Sequence, residues 1–206
     1  MINVSNLFVK IKKDLILKNI TFNIEKGDVV ALAGQNGAGK STLIKSINGL
    51  IKPKSGAISV NGTIGFMPES TTPDPKLTVS EFLSYIYYLR GDSFTPDLYS
   101  KFGLVKKIDS LCSQLSKGLK QRVLLAAVFA GNPDIIILDE PSAGLDPQFQ
   151  LEMIQLIKAI DKGVTVLIST HNISEIKELS KKVIILRNGE ISYIGSTREG
   201  NFYEYF

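Results

Sequence analysis

Gly34-Gln35-Asn36-Gly37-Ala38-Gly39-Lys40-Ser41-Thr42 matches the pattern G-x-x-x-x-G-K-[ST] at every fixed position. The apolar run 29–33 before it reads as a buried strand. After it, Leu43, Ile44 and Ile47 recur at helical spacing until Gly49 offers a stop. Strand, glycine-rich turn and helix start together make a phosphate cradle. Backbone N–H groups along 34–42 converge on an anion, and the glycines allow positive φ and close approach. Lys40 is placed to reach the outer phosphates of a nucleotide, and Ser41 to hold Mg²⁺.

With 206 residues, 44% of them apolar, the chain can bury a full core and is expected to form one complete domain rather than a fragment. Its longest wholly apolar run, 123–130, is too short to cross a bilayer, and the first residues lack the basic-then-apolar order of a signal peptide. A cytosolic protein is expected. The lone cysteine, Cys112, excludes an internal disulfide or a cysteine-based zinc site and reads as a small buried hydrophobe. The net charge of +4 is spread along the chain, and the pairs Lys12-Lys13, Lys106-Lys107 and Lys181-Lys182 have no aromatics interleaved between them. No nucleic-acid partner is expected.

Outward from the phosphate loop, residues 2–33 alternate short apolar runs with polar breaks and read as several strands. Asn61-Gly62, flanked by 57–60 and 63–66, predicts a hairpin, because both central residues of a type I′ turn need positive φ. Helix is expected over about 79–90, carrying Phe82, Tyr85, Tyr87 and Tyr88, then over 97–107, with 111–115 a further apolar stretch, so that 70–122 forms a mostly helical insertion. The α/β rhythm returns at 135–138, a continuous apolar strand of the kind covered on both faces. Asp146-Pro147 supplies an N-cap and first-turn proline for the stripe Leu151, Ile154, Ile157, Ile160. A strand over 164–169 leads to His171, and two last strands flank Asn188-Gly189, a second hairpin turn.

The strand 135–138 delivers Asp139-Glu140 at its C-terminal end, the edge at which open α/β sheets place ligands. Asp139 suits the shell of a metal ion. Glu140 suits a general base for an attacking water, a role worth about 10²- to 10⁴-fold in rate.

Three further stretches carry a resemblance. Leu115-Ser116-Lys117-Gly118-Leu119-Lys120-Gln121-Arg122 resembles the LSGGQ signature of ATP-binding cassette (ABC) proteins. Asp139-Glu140-Pro141, followed by Ser142-Ala143-Gly144-Leu145-Asp146-Pro147, is similar to their Walker B and D-loop, and His171, the single histidine, stands at their switch position. Order and spacing agree from about residue 2 to residue 195. The resemblance implies an α/β P-loop NTPase of the ABC ATPase fold over 1–206. Its core sheet would be mostly parallel, with an N-terminal antiparallel β subdomain and the helical insertion at 70–122.

By the same resemblance, the cofactors are ATP and Mg²⁺, the ion held by Ser41, Asp139 and Glu69. Glu69 stands in the place of the family's Q-loop glutamine. His171 would bond the γ-phosphate and orient the water. Ser116 and Gly118 would meet the γ-phosphate held by another cassette, so two chains, identical or not, sandwich ATP, with Asp146 acting across that interface. A short exporter-type subunit is implied, peripheral on the cytoplasmic face of the membrane and driving separate integral permease subunits. Lys117 and Leu119 depart from the signature, and Ile11, with Phe8 nearby, occupies the place where many relatives stack an aromatic on adenine. A soluble ABC ATPase acting on ribosomes or DNA, or a nucleotide-gated binding module with little turnover, stays as the alternative.

Overall fold

The computed structural model describes residues 1–198 and 202–205, so residues 199–201 and 206 of the expected domain lie outside the described residues. The chain opens with β1 (Ile2–Ile11) and β2 (Asp14–Ile24), joined by a turn in which Lys12 has φ 54°. The apolar runs 15–17 and 20–24 lie in the one strand β2. Asn19, at φ 53°, bulges opposite a register shift instead of ending it. β3 (Val29–Ala33) then leads through the glycine-rich loop to α1 (Lys40–Ile47). β4 (Ser55–Val60) returns to pair antiparallel with β1, giving a three-stranded sheet in the order β2-β1-β4.

β5 (Ile64–Met67) does not pair with β4. The hairpin expected at Asn61-Gly62 is therefore corrected: β5 crosses to a second sheet and runs parallel to β6 (Ile135–Asp139). Two contacts decide this. Gly62 has positive φ but Asn61 does not, so the type I′ turn cannot form. Asp134, just before β6, takes the backbone N–H of Thr63 at 2.8 Å and its hydroxyl at 3.0 Å, drawing the chain away from β4. Asn188-Gly189, with φ 52° and 80°, does make the expected hairpin, between β8 (Lys182–Arg187) and β9 (Glu190–Ser196).

The second sheet has six strands in the order β5-β6-β7-β3-β8-β9, where β7 is Thr165–Thr170; all are parallel except β9. Its strands are apolar on both faces because each face has a cover. Ile135, Ile137 and Leu167 pack with α1 and the antiparallel sheet, whereas Ile136, Leu138, Val166 and Ile168 pack with helices on the other side. Alternate residues of one strand thus serve two cores.

The second cover comprises α2 (Val79–Leu89), α4 (Lys117–Val128) and α5 (Pro147–Lys158). A capping box starts α2: Thr78 Oγ1 accepts from Glu81 N, and Glu81 accepts from Thr78 N at 2.8 Å. The helix expected over 97–107 is shorter, α3 (Pro96–Lys101), followed by single 3₁₀ turns at Val105–Lys107 and Cys112–Gln114. Gly103, in positive φ, breaks it. α4 runs unbroken through residue 122, so its second half is core rather than insertion. Cys112 is buried, and burial pushes its thiol up, in keeping with a packing role. α6 (Ile173–Leu179) covers the end of the sheet at β3 and β8.

Two surface carboxyls tie pH to this architecture. The backbone N–H of Thr78 holds Glu81 below its usual range, and the backbone N–H of Thr63 does the same for Asp134. A carboxyl with a depressed folded-state pKa stabilises the fold above its unfolded value and loses that contribution as pH falls through the folded value. The share of thermal stability these two carboxyls contribute is expected to be complete above about pH 5 and to decline progressively below about 4. Asp134→Asn should lower the melting temperature at neutral pH and flatten the acid limb, as a calorimetric pH series will read.

Candidate functional site

The strand order places three chain segments at one edge. β3 ends in the glycine-rich loop, its neighbour β7 ends at Thr170 before His171, and β6, beyond β7, ends at Asp139-Glu140. All three strands are parallel, so their C-terminal ends meet on the same side of the sheet.

An open cavity of about 450 Å³ lies there, lined by Ile16, Asn36, Gly37, Ala38, Gly39, Lys40, Ser41, Thr42, Glu69 and Glu140. Gly39, at φ 107°, caps α1 without a side-chain hydrogen bond, leaving the first helical N–H groups open to a ligand. Gly37, at φ 83°, faces open space, so its glycine answers to backbone conformation and not to crowding. Gly34 differs: a Cβ there would fall 2.3 Å from the Leu186 carbonyl oxygen.

Lys40 is only 6% exposed. Its Nζ donates to Gly34 O at 2.8 Å and lies 3.3 Å from Glu140 Oε1. The other Glu140 oxygen lies 2.9 Å from Nδ1 of His171, whose side chain is 56% exposed, while Glu140 itself is 8% exposed. One carboxylate therefore joins a buried cation to a ring at the surface. Glu140 Oε1 has no hydrogen-bond donor besides this ion pair. Glu140 also has φ 51°, a conformation a non-glycine residue keeps only when its surroundings dictate it. Here Ser169 dictates it: Glu140 N donates to Ser169 Oγ at 2.9 Å, and that hydroxyl donates to Asp139 Oδ1 at 2.5 Å.

The oxygen groups near the cavity are the Ser41 hydroxyl and the Glu69, Glu140 and Asp139 carboxylates, the last buried. Among the described residues no cluster of three or more His, Cys, Asp or Glu forms a metal cage. A donor set of hard oxygens without a cage fits Mg²⁺, which keeps waters and shares its shell with substrate phosphates.

The sequence-predicted residues Lys40, Ser41, Glu69, Glu140 and His171 come together, with Asp139 behind them. Ser116 and Gly118 do not line the cavity; they stand at the start of α4, Ser116 exposed and Gly118 buried. Ser116 caps α4 by accepting from Leu119 N. Gly118 is buried, and a Cβ there would meet the Phe149 ring of α5 at 2.3 Å, so its need for glycine comes from packing. Lys117 reaches across to donate to Ala143 O at 2.8 Å, tying the start of α4 to the loop before α5. Asp146 caps α5, accepting from Phe149 N at 3.1 Å. Ile11 sits exposed at the end of β1 and is not among the cavity-lining residues, whereas Ile16 is. Sequence reasoning missed Ile16 and Ser169. The signal for Ser169 was a hydroxyl directly after the apolar run 166–168.

Comparison with known proteins bears on this site. Residues 17–143 match the family model described as ABC transporter, and 112–177 match a model of an AAA domain. The human ATP-binding cassette sub-family A member 9 is 33% identical over 93% of this chain, which spans only 13% of that protein's length. The Bacillus subtilis arginine transport ATP-binding protein ArtM is 32% identical, with 97% of this chain and 92% of that protein covered. Among solved structures, a dimeric ATP-binding cassette in a post-hydrolysis state bound to ADP and Pi superposes with a TM-score of 0.84 at 26% identity, covering 97% of this chain and all of that one. The Clostridium perfringens protein cbiO1, part of the ABC transporter complex cbiONQ, gives 0.82 at 28% identity over 96% of this chain and 88% of its own.

The Gly118 contact generates a test. Gly118→Ala should destabilise the chain by about 1–3 kcal/mol, as overpacking does, and Phe149→Leu should recover part of that loss in the double variant. Urea unfolding of the three proteins will measure it.

Proposed function

The chain belongs to the ABC transporter family of ATP-binding cassettes, and from that premise we propose that it binds and hydrolyses ATP and drives transport by separate membrane subunits. The observation that carries this reading is the chain Lys40–Glu140–His171 at the mouth of the phosphate cradle. Lys40 is a buried point charge for the outer phosphates. Glu140, held at a fixed backbone angle by Ser169, is the general base that takes a proton from the attacking water. His171, hydrogen-bonded to it and exposed on its other edge, orients that water and the γ-phosphate. Mg²⁺, when bound through Ser41 and the Asp139 and Glu69 carboxylates, supplies charge neutralisation for the phosphates.

In the free chain Lys40 and Glu140 neutralise each other. Triphosphate entry exchanges one anionic partner of Lys40 for another and releases Glu140 Oε1 for water. Ser116 and the α4 N-terminus lie outside the cavity, so the second half of the site comes from another cassette, and a dimer sandwiches the nucleotide. Support for this arrangement comes from the dimeric cassette found in the comparison.

A route to membrane subunits starts at Glu69. The strand β5 that leads to it forms, with α2 and α4, an apolar groove of about 280 Å³ lined by Phe66, Met67, Phe82, Ile86, Leu89 and Leu124. Tyr88, 79% exposed, and Tyr85 stand beside it on α2. No helix among the described residues is long and apolar enough to cross a membrane. A partner seated in this groove would feel nucleotide through Glu69, and the same Glu69 would close the cavity when ATP arrives.

Glu140→Gln should bind ATP yet lower kcat by about 10²- to 10⁴-fold, and accumulate as an ATP-bound dimer on size exclusion; a monomeric variant with wild-type turnover would refute both the base and the sandwich. Lys40→Ala should weaken ATP binding by roughly tenfold or more, as loss of a charge-assisted contact of about 1.5–3 kcal/mol requires, read by calorimetric titration.

A further inference from the structure

Glu175 lies on α6 and is 3% exposed, yet among the described residues no lysine, arginine or histidine pairs with it. Its partners are two buried hydroxyls. Ser142 Oγ donates to one carboxylate oxygen, and Thr170 Oγ1 donates to the other at 2.7 Å. A carboxylate buried on hydroxyls alone loses more hydration than it regains, so fold stability does not account for it. The positions of the two hydroxyls do. Ser142 follows Glu140 by two residues, and Thr170 immediately precedes His171.

The geometry points to Glu175 as a positioning residue for ATP hydrolysis, clamping the loop after β6 to the end of β7 so that Glu140 and His171 stay paired. The inference rests on the ATPase reading above. Ser169 already joins the two strands below the carboxylates, through Asp139 and the Glu140 N–H. Glu175 joins them one step further along, past Asp139 and Ser169, the last register pair between β6 and β7. The loop it holds is a tight one: Ala143 N bonds Glu140 O at 3.1 Å, and Leu145 N bonds Ser142 O at 3.2 Å. Ser169 holds the N–H side of Glu140 at φ 51° and the turn that Ser142 anchors holds its carbonyl side, so release of Ser142 frees the carbonyl side to relax and swing the carboxylate away from the histidine. Thr170 Oγ1 also accepts from Asn172 N at 3.0 Å, so the same clamp fixes the backbone on both sides of His171. The network reaches the phosphate loop only through Glu140, whose Oε1 competes with a phosphate for Lys40, so its release should not weaken nucleotide binding.

The test uses the full chain in three forms: wild type, Glu175→Ala and Glu175→Gln. Glu175→Ala should lower kcat by about tenfold or more, while binding of ATP (as KM) and of ADP weakens by less than about threefold, the pattern of a group that acts on the chemical step and not on holding the nucleotide. Glu175→Gln should recover most of the rate, because its amide oxygen accepts from one hydroxyl and its NH₂ donates to the other. In the nucleotide-free chain, hydrogen exchange should rise at 140–145 and 170–172 in the alanine variant and stay unchanged at 34–42. Wild-type kcat in Glu175→Ala overturns the clamp. So does a loss of ADP affinity in step with kcat, or a glutamine variant no better than alanine. The exchange measurement reads the clamp even if the wild-type chain shows no turnover, a result that would sink the ATPase reading instead.

Discussion

Lys40 Nζ and Glu140 Oε1 stand 3.3 Å apart, both side chains less than a tenth exposed, and the site hangs on that ion pair. Two charges of this kind are tolerated inside a protein only as partners. Removing one leaves the other unpaired at a cost of about 3–5 kcal/mol. The pair forms because β3 and β6 both flank β7 in parallel register, which puts the start of α1 across from the end of β6. A ligand phosphate offers Lys40 the same charge that Glu140 does, so binding exchanges partners and does not expose a buried cation. On the function proposed above, the resting protein is held in balance by a contact that a nucleotide phosphate replaces.

Around that pair the structure spends its unusual features close together. Glu140 takes a backbone angle that non-glycine residues avoid, Asp139 is buried, and Glu175 is buried with no cation paired to it among the described residues. Each is secured by a hydroxyl from the end of β7 or the loop beside it: Ser169, Thr170 or Ser142. Three hydroxyls serving three carboxyl-bearing residues make a rigid floor beneath an exposed histidine. The signature end of α4 is equally constrained, by Phe149 beneath Gly118 and by the Lys117 contact with Ala143 O. That contact uses a residue by which this chain departs from the family pattern. It links the start of α4 to the loop that also carries Ser142, so α4 and the end of β6 share one tightly turned segment.

The hairpin expected at Asn61-Gly62 shows where local chemistry loses to tertiary contacts. Both residue types favour positive φ, but only Gly62 adopts it, because Asp134, distant in sequence, binds both the backbone and the hydroxyl of Thr63. The strand so captured becomes β5, and its end carries Pro68 and Glu69 to the cavity. A true hairpin would have kept Glu69 with the antiparallel sheet. At Asn188-Gly189 the distant partners, Ala38 O and Lys18 N, bond Gly189 without displacing either positive φ, and the turn forms as its residues prefer.

The primary structure by itself determined the phosphate cradle, the two adjacent carboxylates, the single histidine, the fold class and the family. Each of these is a short-range pattern: a glycine spacing, an apolar strand ending in acids, a capped helix. It could not disclose that Ile16 and not Ile11 lines the cavity, that Gly118 answers to Phe149, or that Ser142, Thr170 and Glu175 form one network. Those are meetings between residues far apart along the chain or on opposite sides of a turn, and they exist only once parallel strands align their ends. Spacing encodes what a segment can do, and packing decides which segments do it together.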